Sequence, residues 1–304
     1  MKYIIFVCVV IAAALYFTAR YFYNFALKRG EKQFINKELN LSKIETDKVK
    51  SRSWFSNRGG QTVGITAFDG IELKAYIIRN ESRKWLIFQH GYGAHKGTSL
   101  KYGKRFYEKG FNVIMPDLRG HGESGGSFIG MGWVDRKDIL SWIDYILKID
   151  SDAEILLMGV SMGAVSVLCS LGEKLPPNVK CAVSDSAFTS FYEQSKYRFP
   201  KTFGKKAPVE FSIFLLNAYS KHKAKFGVYE ASAINAVKKA TVPVMVIHGG
   251  ADKFVPLYMA KEIYDAVPTE KELLIIDGAD HIEAAQVGGE EYWTKVFEFT
   301  EKYI

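Results

Sequence analysis

The sequence predicts an α/β fold in which a mostly parallel sheet of eight strands carries helices on both faces, with an apolar helix at the N-terminus. Short apolar runs alternate with helical patterns from about residue 61 onward, as in parallel sheets whose two faces are covered. Of the 304 residues, 48% are hydrophobic and 14% are aromatic, which is enough for one sizeable core. This composition excludes disordered, collagen-like and disulfide-stapled proteins.

The N-terminus is the most apolar part of the chain. Residues 3–17 contain no charge, and apolar and aromatic residues continue at 21–27, which together give the length of a tilted membrane-spanning helix. A cleaved signal peptide is the alternative, because Lys2 supplies a basic start and residues 12–14 form a small-residue cleavage site. We favour an uncleaved single-pass anchor over residues 1–27, since apolar aromatic sequence continues beyond the alanines. Basic residues after the anchor favour a cytoplasmic domain and the Lys2 start favours export, so the side of the membrane stays open.

A polar segment follows the anchor, and strand and helix patterns alternate after that segment. Residues 28–60 are rich in charge and predict a juxtamembrane linker or a surface helix. Residues 61–304 then predict one large domain, whose first two strands are joined by Asp69-Gly70, a dipeptide typical of a hairpin turn. The predicted strands are 61–68, 71–78, 84–89, 111–116, 154–159, 179–184, 242–249 and 272–277. The predicted helices include 98–109, 132–148, 162–173, 257–266 and 282–301.

Residues 188–232 interrupt this alternation. The stretch is aromatic and basic and contains no strand pattern, so we interpret it as a cap inserted over one edge of the sheet. Its aromatic side chains predict either an ordinary cap core or a tunnel that binds an acyl chain. Its excess of lysine and arginine predicts either a solvated face or attraction to anionic lipid head groups.

A G-x-S-x-G pentapeptide runs from Gly159 to Gly163 between a predicted strand and a predicted helix. In this position the pattern is typical of a nucleophile elbow, a sharp turn that exposes a serine hydroxyl at the C-terminal edge of the sheet. Only small flanking residues fit so sharp a turn, which accounts for the two glycines. Ser161 is therefore the predicted nucleophile.

A serine nucleophile needs a base, and the ordinary pKa of histidine lies nearest neutrality. His281 follows the last predicted strand and precedes the C-terminal helix, so it lies at the sheet edge where Ser161 emerges. The sequence therefore favours His281 as the base. We interpret the remaining histidines as structural or exposed groups: His90, His95, His121, His222 and His248.

The base must in turn be oriented by an acid. Asp252 directly follows the strand at 242–249, which gives the chain order Ser161, Asp252, His281. Asp185 ends the strand before the cap and is the competing carboxylate, although we favour Asp252. Asp280 precedes His281 directly and is interpreted as a turn residue.

Attack on a carbonyl creates an oxyanion, which needs two backbone N–H donors aimed at the developing charge. Met162 supplies one candidate by its position after the nucleophile. The second candidate is the N–H of Tyr92, because the glycines of the HGYG loop at 90–93 let the backbone turn inward after the third strand. A mere glycine-rich turn is the alternative for this loop.

Five motifs together resemble the α/β-hydrolase superfamily, in particular its serine-aminopeptidase-like and monoacylglycerol-lipase-like members, some of them membrane-anchored bacterial proteins. The resemblance covers about residues 61–304 and implies Ser161 as nucleophile, Asp252 as acid and His281 as base. It also implies that the turn at 117–122 supports the active-site loops. The motifs are HGYG at 90–93, DLRGHGES at 117–124, GVSMGA at 159–164, HGGADKFVP at 248–256 and GADH at 278–281.

These features predict a serine hydrolase of carboxylic acyl esters that works through an acyl-enzyme next to the membrane. A peptidase or acyltransferase with the same triad is the alternative, and a binding protein is disfavoured because every motif is retained. A peptidase for free N-termini would need a carboxylate near the pocket, for which the cap offers Glu193, Glu210 and Glu230. A serine at the elbow disfavours dehalogenase and epoxide hydrolase chemistry, which in relatives uses an aspartate there.

The sequence implies neither metal nor organic cofactor. The cysteines Cys8, Cys169 and Cys181 form no CxxC pair and are odd in number, which argues against a zinc site or a disulfide framework. The formal net charge of +8 accompanies an anchor and no nucleic-acid-binding motif, so a nucleic-acid partner is disfavoured. The expected partners are a small acyl ester or lipid-like substrate and the membrane itself.

Overall fold

The computed structural model describes residues 1–30 and 45–304, and only the backbone at 45–50. Much of the segment predicted as a linker, residues 28–60, therefore lies outside the described residues. Its last part is a helix whose Trp54 and Phe55 rings contact Tyr107 and Tyr76, at centroid distances of 5.6 and 4.6 Å.

An eight-stranded sheet forms the centre of the molecule, with strand order β1-β2-β4-β3-β5-β6-β7-β8. The pairs β1–β2 and β2–β4 are antiparallel, and every later pair is parallel, which confirms the predicted mostly parallel sheet. The strands are β1 (Gln61–Thr66), β2 (Glu72–Ile78), β3 (Lys84–Gln89), β4 (Asn112–Pro116), β5 (Glu154–Val160), β6 (Val179–Asp185), β7 (Val244–Gly249) and β8 (Lys271–Ile276).

Helices precede, connect and follow these strands. The described helices are α1 (Lys2–Ala26), α2 (Glu45–Asn57), α3 (Lys96–Glu108), α4 (Asp135–Ile149), α5 (Met162–Ser170), α6 (Phe191–Phe203), α7 (Val209–Lys223), α8 (Ala233–Val237), α9 (Leu257–Ala266), α10 (Ala284–Val287) and α11 (Gly289–Thr300). The single helix predicted at 282–301 is thus two helices, because Gly289 has φ 49° and interrupts the helical backbone. The helix predicted at 132–148 begins only at Asp135, since Gly132 has φ 79°.

Alternate side chains of the parallel strands enter two cores on opposite faces of the sheet. On β3, Trp85 and Ile87 join the core beneath α4, α5, α8 and α9, whereas Leu86 and Phe88 join the core beneath α3 and α11. Both faces are therefore covered, which explains why the strands read as continuous apolar runs rather than alternating ones.

The two ends of α1 have different surroundings. The side chains of residues 1–18 are exposed, whereas Tyr23 and Leu27 are buried in the first core. The Ile129 N–H donates to the carbonyl of Leu27 at 2.7 Å, so the chain is joined to the domain where the helix ends. Within the described residues, α1 alone has the length and mean hydropathy (2.1 over its most apolar window) to cross a membrane, a property shared by membrane anchors and signal sequences.

The insertion between β6 and α8 contains α6 and α7. Helix α7 packs along α1, where the ring of Tyr219 lies 5.7 Å from that of Tyr16 and 5.2 Å from that of Tyr23. Helix α6 packs over the C-terminal edge of the sheet, since its Gln194 side chain donates to the Phe254 carbonyl in the loop after β7. The insertion and the end of α1 together cover the edge at which the predicted site residues lie.

Candidate active site

Ser161 occupies the turn between β5 and α5. Its backbone has φ 52° and ψ −122°, a conformation that side-chain-bearing residues rarely adopt. A Cβ on Gly159 would lie 2.4 Å from the carbonyl carbon of Gly163, and a Cβ on Gly163 would lie 2.2 Å from the carbonyl oxygen of Gln89. The sharp turn therefore requires both glycines, and it directs the serine hydroxyl out of the sheet edge.

His281 lies in the loop between β8 and α10 and links two groups that come from distant parts of the chain. Its Nε2 lies 2.8 Å from Ser161 Oγ, and its Nδ1 lies 2.7 Å from Asp252 Oδ2. When Nδ1–H donates to the carboxylate, Nε2 is left to accept the serine hydroxyl proton. The structure thus brings together Ser161, Asp252 and His281 in one hydrogen-bonded chain, with all three side chains buried.

The loop after β7 holds the Asp252 carboxylate in place. Its Oδ1 accepts the backbone N–H groups of Phe254 and Val255, each at 2.8 Å, which leaves Oδ2 for His281. Burial opposes the charge of Asp252, but hydrogen bonds from His248 and His281 outweigh it and hold its pKa well below its usual range. The carboxylate is therefore charged and oriented at neutral pH.

His248, interpreted from the sequence as structural, lies beside this carboxylate. Its Nε2 donates to the Val255 carbonyl at 2.9 Å and lies 3.3 Å from Asp252 Oδ2. Burial lowers the pKa of His248, but the hydrogen bond to Asp252 outweighs burial and raises it. No hydrogen bond is made by its buried Nδ1 within the described part of the chain. The contact was missed because nothing in the strand pattern distinguishes a core histidine from one that faces the acid.

The competing carboxylates have other partners. Asp185 at the end of β6 accepts hydrogen bonds from the hydroxyls of Tyr292 and Ser186, at 2.9 Å each, and burial raises its pKa. Asp280 accepts the backbone N–H of His281 at 2.8 Å. Of the three aspartates weighed as the acid, Asp252 is the one whose carboxylate reaches His281 Nδ1.

The HGYG loop is fixed by two histidines. His90 Nδ1–H donates to the Gly91 carbonyl at 2.8 Å, and its Nε2 accepts the Leu118 N–H at 3.0 Å. His121 Nε2 accepts the Gly93 N–H at 3.1 Å. Burial, with help from the neighbouring His121, lowers the pKa of His90 to about 3, so its ring stays neutral and keeps both roles.

Comparison with known proteins supports the same reading of the fold. A sequence model of the family described as serine aminopeptidase, S33, matches residues 80–220. The chain is 26% identical over 232 residues to the uncharacterized protein YqkD of Bacillus subtilis, covering 76% of this chain and 75% of YqkD. It is 26% identical to the lysophosphatidylserine lipase ABHD12 of Danio rerio, covering 89% of this chain and 70% of ABHD12. The Pyrococcus furiosus esterase Pf2001 matches with a TM-score of 0.66 and 26% identity, covering 80% of this chain and 92% of Pf2001.

This chain has the α/β-hydrolase fold. The comparison and the eight-stranded sheet therefore confirm the fold that the five sequence motifs imply.

Buried ion pairs support the loops around the site of the hydrolase. Lys96 Nζ lies 2.7 Å from Asp117 Oδ2, and the Lys96 N–H donates to Oδ1 of the same carboxylate at 2.6 Å. Arg119 forms a bidentate pair with Asp138 at 2.6 and 2.8 Å. These contacts hold the turn at 117–122 on which the HGYG loop rests. The sequence signalled the turn, but the partners Lys96 and Asp138 come from helices whose polar residues carry no distinguishing pattern.

A largely apolar cavity opens next to Ser161. Tyr92 and Met162 line it beside the serine, so the two predicted oxyanion residues border the space in which a substrate carbonyl would lie. The Tyr92 hydroxyl points away and donates to the Ala26 carbonyl of α1 at 2.6 Å. The other lining residues are Phe22, Phe25, Ala26, Met131, Phe188, Phe191, Gln194, Ser195, Arg198, Phe199, Thr202, Phe203, Leu216 and Phe254.

The cavity brings in residues that the sequence did not assign to the site. Phe22, Phe25 and Ala26 belong to α1, and their apolar character read only as part of a membrane segment. The spacing of residues 22, 25 and 26 places them on one face of the helix, but it does not show what that face contacts.

The cap glutamates are not among the described lining residues of this cavity. Glu210 accepts the Tyr192 hydroxyl at 3.0 Å, and Glu230 accepts the Gly227 N–H at 3.0 Å. The charged side chain that lines the cavity is Arg198, whose guanidinium carbon lies 4.4 Å from the Phe254 ring centroid. The Phe254 ring also stacks on the imidazole of His281 at a centroid distance of 4.8 Å. One aromatic ring therefore contacts both the Arg198 guanidinium and the His281 imidazole.

Proposed function

We propose that the hydrolase cleaves carboxylic acyl esters through a Ser161–His281–Asp252 triad and an acyl-enzyme intermediate. The observation that carries the proposal is the continuous hydrogen-bonded chain from Ser161 Oγ through His281 to Asp252, at 2.8 and 2.7 Å. A serine is activated as a nucleophile when a base within this reach is oriented by a third group.

In this mechanism His281 Nε2 takes the Ser161 proton while Oγ attacks the substrate carbonyl carbon. Negative charge develops on the carbonyl oxygen, where the N–H groups of Tyr92 and Met162 donate to it. The protonated His281 then gives its proton to the leaving alcohol, and the C–O bond to that alcohol breaks. Water, deprotonated by the same imidazole, releases the acid and restores the serine.

The cavity supports an ester of apolar acyl groups over a peptide. A free amino terminus needs a carboxylate close to the scissile bond, whereas the described lining beside Ser161 is aromatic and contains no aspartate or glutamate. Two of the similar proteins are named as an esterase and a lysophosphatidylserine lipase. The serine aminopeptidase description of the matching family keeps a peptidase as the second candidate, and an acyltransferase would need an alcohol acceptor in place of water.

The same proposal includes α1 as an uncleaved anchor. The side chains of residues 3–17 are apolar and exposed, and so large an apolar surface favours burial in lipid. We divide the chain into the anchor at 1–27, a juxtamembrane segment at 28–60 and the hydrolase domain at 61–304 with its cap at about 188–232. The packed residues Tyr23 and Leu27 make the end of the anchor part of the domain's core.

The test is hydrolysis of a series of p-nitrophenyl esters of increasing acyl length by the full chain in detergent. We expect turnover that Ser161→Ala abolishes and that Ser170→Ala retains, because Ser170 donates only to the Val167 carbonyl within α5. A Ser161→Ala variant that keeps full activity contradicts the triad. A folded wild type that cleaves an aminoacyl p-nitroanilide but no ester transfers the proposal to the peptidase.

A further inference from the structure

We propose that the acyl chain of a membrane lipid reaches Ser161 from the bilayer between α1 and α6, with Phe22 and Phe25 of the anchor helix as specificity-determining residues. This inference rests on the proposed function and names the substrate class and its route. It makes the anchor a wall of the binding site rather than only a tether.

One face of α6 forms the long side of the cavity. The lining residues on this helix recur every three or four positions, so they lie on a single stripe from Phe191 to Phe203. At 1.5 Å per residue this stripe runs for about 18 Å. The cavity is therefore elongated, and its lining matches an extended hydrocarbon chain better than a compact acyl group.

Helix α1 forms the facing wall. The ring of Phe22 lies 5.1 Å from that of Phe199, and the ring of Phe25 lies 5.1 Å from that of Phe203. At the other end, the Ala26 carbonyl accepts the hydroxyl of Tyr92, the residue of the predicted oxyanion loop. Followed from Ala26 toward its N-terminus, α1 leads from the reacting atoms along the cavity to its own exposed apolar turns.

The lining residues at the far end of the cavity, beside α1, are accessible from outside the protein. Thr202 lines the cavity and is exposed, while Phe22 and Phe25 are only half-buried. Apolar surface at an opening favours lipid over water.

The neighbouring surface of the cap has the chemistry of a membrane-facing surface. Phe211 and Phe214 of α7 are 50% and 55% exposed, and their spacing places both on one side of this helix. Helix α7 itself packs against α1. Lys205 and Lys206 follow the end of α6 and are exposed, so they would meet anionic head groups. An apolar face bordered by cations is typical of proteins that rest on a lipid surface.

Acyl-length kinetics of the full chain in phosphatidylcholine nanodiscs test the wall. Burial of each methylene favours a longer ester by about fourfold in kcat/KM up to the length of the cavity. We expect Phe25→Ala and Thr202→Trp to lower the kcat/KM ratio of p-nitrophenyl dodecanoate to p-nitrophenyl butyrate by about tenfold or more. The ratio is the readout, because misfolding or damage to the triad lowers the rates for both esters alike. Phe17→Ala is the matched control, because Phe17 lies on α1 but is 62% exposed and outside the cavity lining.

A second measurement locates the chain directly. A long-chain alkyl fluorophosphonate with a terminal diazirine is placed in phosphatidylcholine vesicles that contain the protein. A bond between Ser161 Oγ and phosphorus forms as fluoride leaves, and light then links the chain end to its neighbours. We expect cross-links within residues 22–26 and 199–203.

The outcomes separate the two proposals. No label on Ser161 together with no serine-dependent ester turnover overturns the proposed function and the inference with it. A label on Ser161 with cross-links only elsewhere, or equal acyl-length profiles for Phe25→Ala, Thr202→Trp and Phe17→Ala, overturns the route along α1 and leaves the esterase standing.

Discussion

Ser161 is held in a backbone conformation that costs a non-glycine residue about 1–3 kcal/mol, and the close packing of Gly159 and Gly163 enforces it. The position of Ser161 Oγ is therefore set by the backbone of the turn and does not depend on the hydrogen bond to His281. His281, the proposed base, is positioned in the same way, since Asp252 is fixed by two backbone N–H donors and fixes the imidazole in turn. Each of the two proposed reacting groups is thus oriented by a neighbour outside the substrate cavity.

Replacing the acid tests this chain of positioning. We expect Asp252→Asn to lower kcat for a p-nitrophenyl ester by about a thousandfold to ten-thousandfold, because an amide favours the wrong imidazole tautomer. Asp185→Asn is the matched control, since burial raises the pKa of Asp185 and its partners are Tyr292 and Ser186. Steady-state kinetics of the two variants check the assignment, and a larger loss in the Asp185 variant would reverse it.

The elements show how far local pattern reaches. Each predicted strand is present with its ends shifted by at most two residues, because a strand covered on both faces is a continuous apolar run bounded by polar turns. The single helix predicted at 282–301 is two helices. The break was not predicted, because a Gly-Gly pair has the same sequence signal in a helix interior as at a helix boundary. The cap was predicted as an insertion. Its packing against α1 was not predicted, because these contacts join distant parts of the sequence.

The start of α4 carries a buried acid whose protonation depends on the fold. Asp135 Oδ2 accepts the Gly132 N–H at 2.8 Å, and Oδ1 has no hydrogen-bond partner among the described residues. Burial, with the neighbouring charge of Asp138, raises the pKa of Asp135 from 3.8 to about 7. Between these two values the folded protein binds a proton that the unfolded chain has lost.

This difference predicts a pH-dependent effect of Asp135→Asn. The contribution of Asp135 to the free energy of unfolding is fully present below pH 3.8. It is lost as pH rises to about 7, at up to about 1.4 kcal/mol per pH unit. The asparagine cannot ionise, so we expect the variant to gain roughly 2–4 kcal/mol of unfolding free energy relative to wild type between pH 4 and pH 8. Urea unfolding at the two pH values measures it, with Asp144→Asn, an exposed residue of the same helix, as control. Parallel pH profiles for wild type and Asp135→Asn would contradict the prediction.

The whole molecule joins a membrane-type helix to a hydrolase core without a clear boundary. Sequence reasoning placed Ser161, Asp252 and His281 at one edge because parallel strands deliver their C-terminal loops there. It did not assign Phe22 or Phe25 to the cavity, since an aromatic residue at the end of an apolar helix has the same pattern whether it faces lipid, solvent or protein. Only the packing of α1 against α6 and α7 distinguishes these surroundings.

This joining predicts where the chain tolerates truncation. A chain that begins at residue 19 keeps the packed turns of α1, whereas one that begins at residue 28 loses Tyr23 and Leu27, which are 8% and 0% exposed in the core. Burial of two such side chains contributes roughly 3–6 kcal/mol, and Tyr92 also loses the carbonyl that accepts its hydroxyl. We expect the shorter chain to melt about 10 °C lower in the same detergent and the longer one to melt close to the full chain. Equal melting temperatures for all three chains would mean that residues 19–27 rest on the domain without stabilising it, and that the hydrolase core begins after α1.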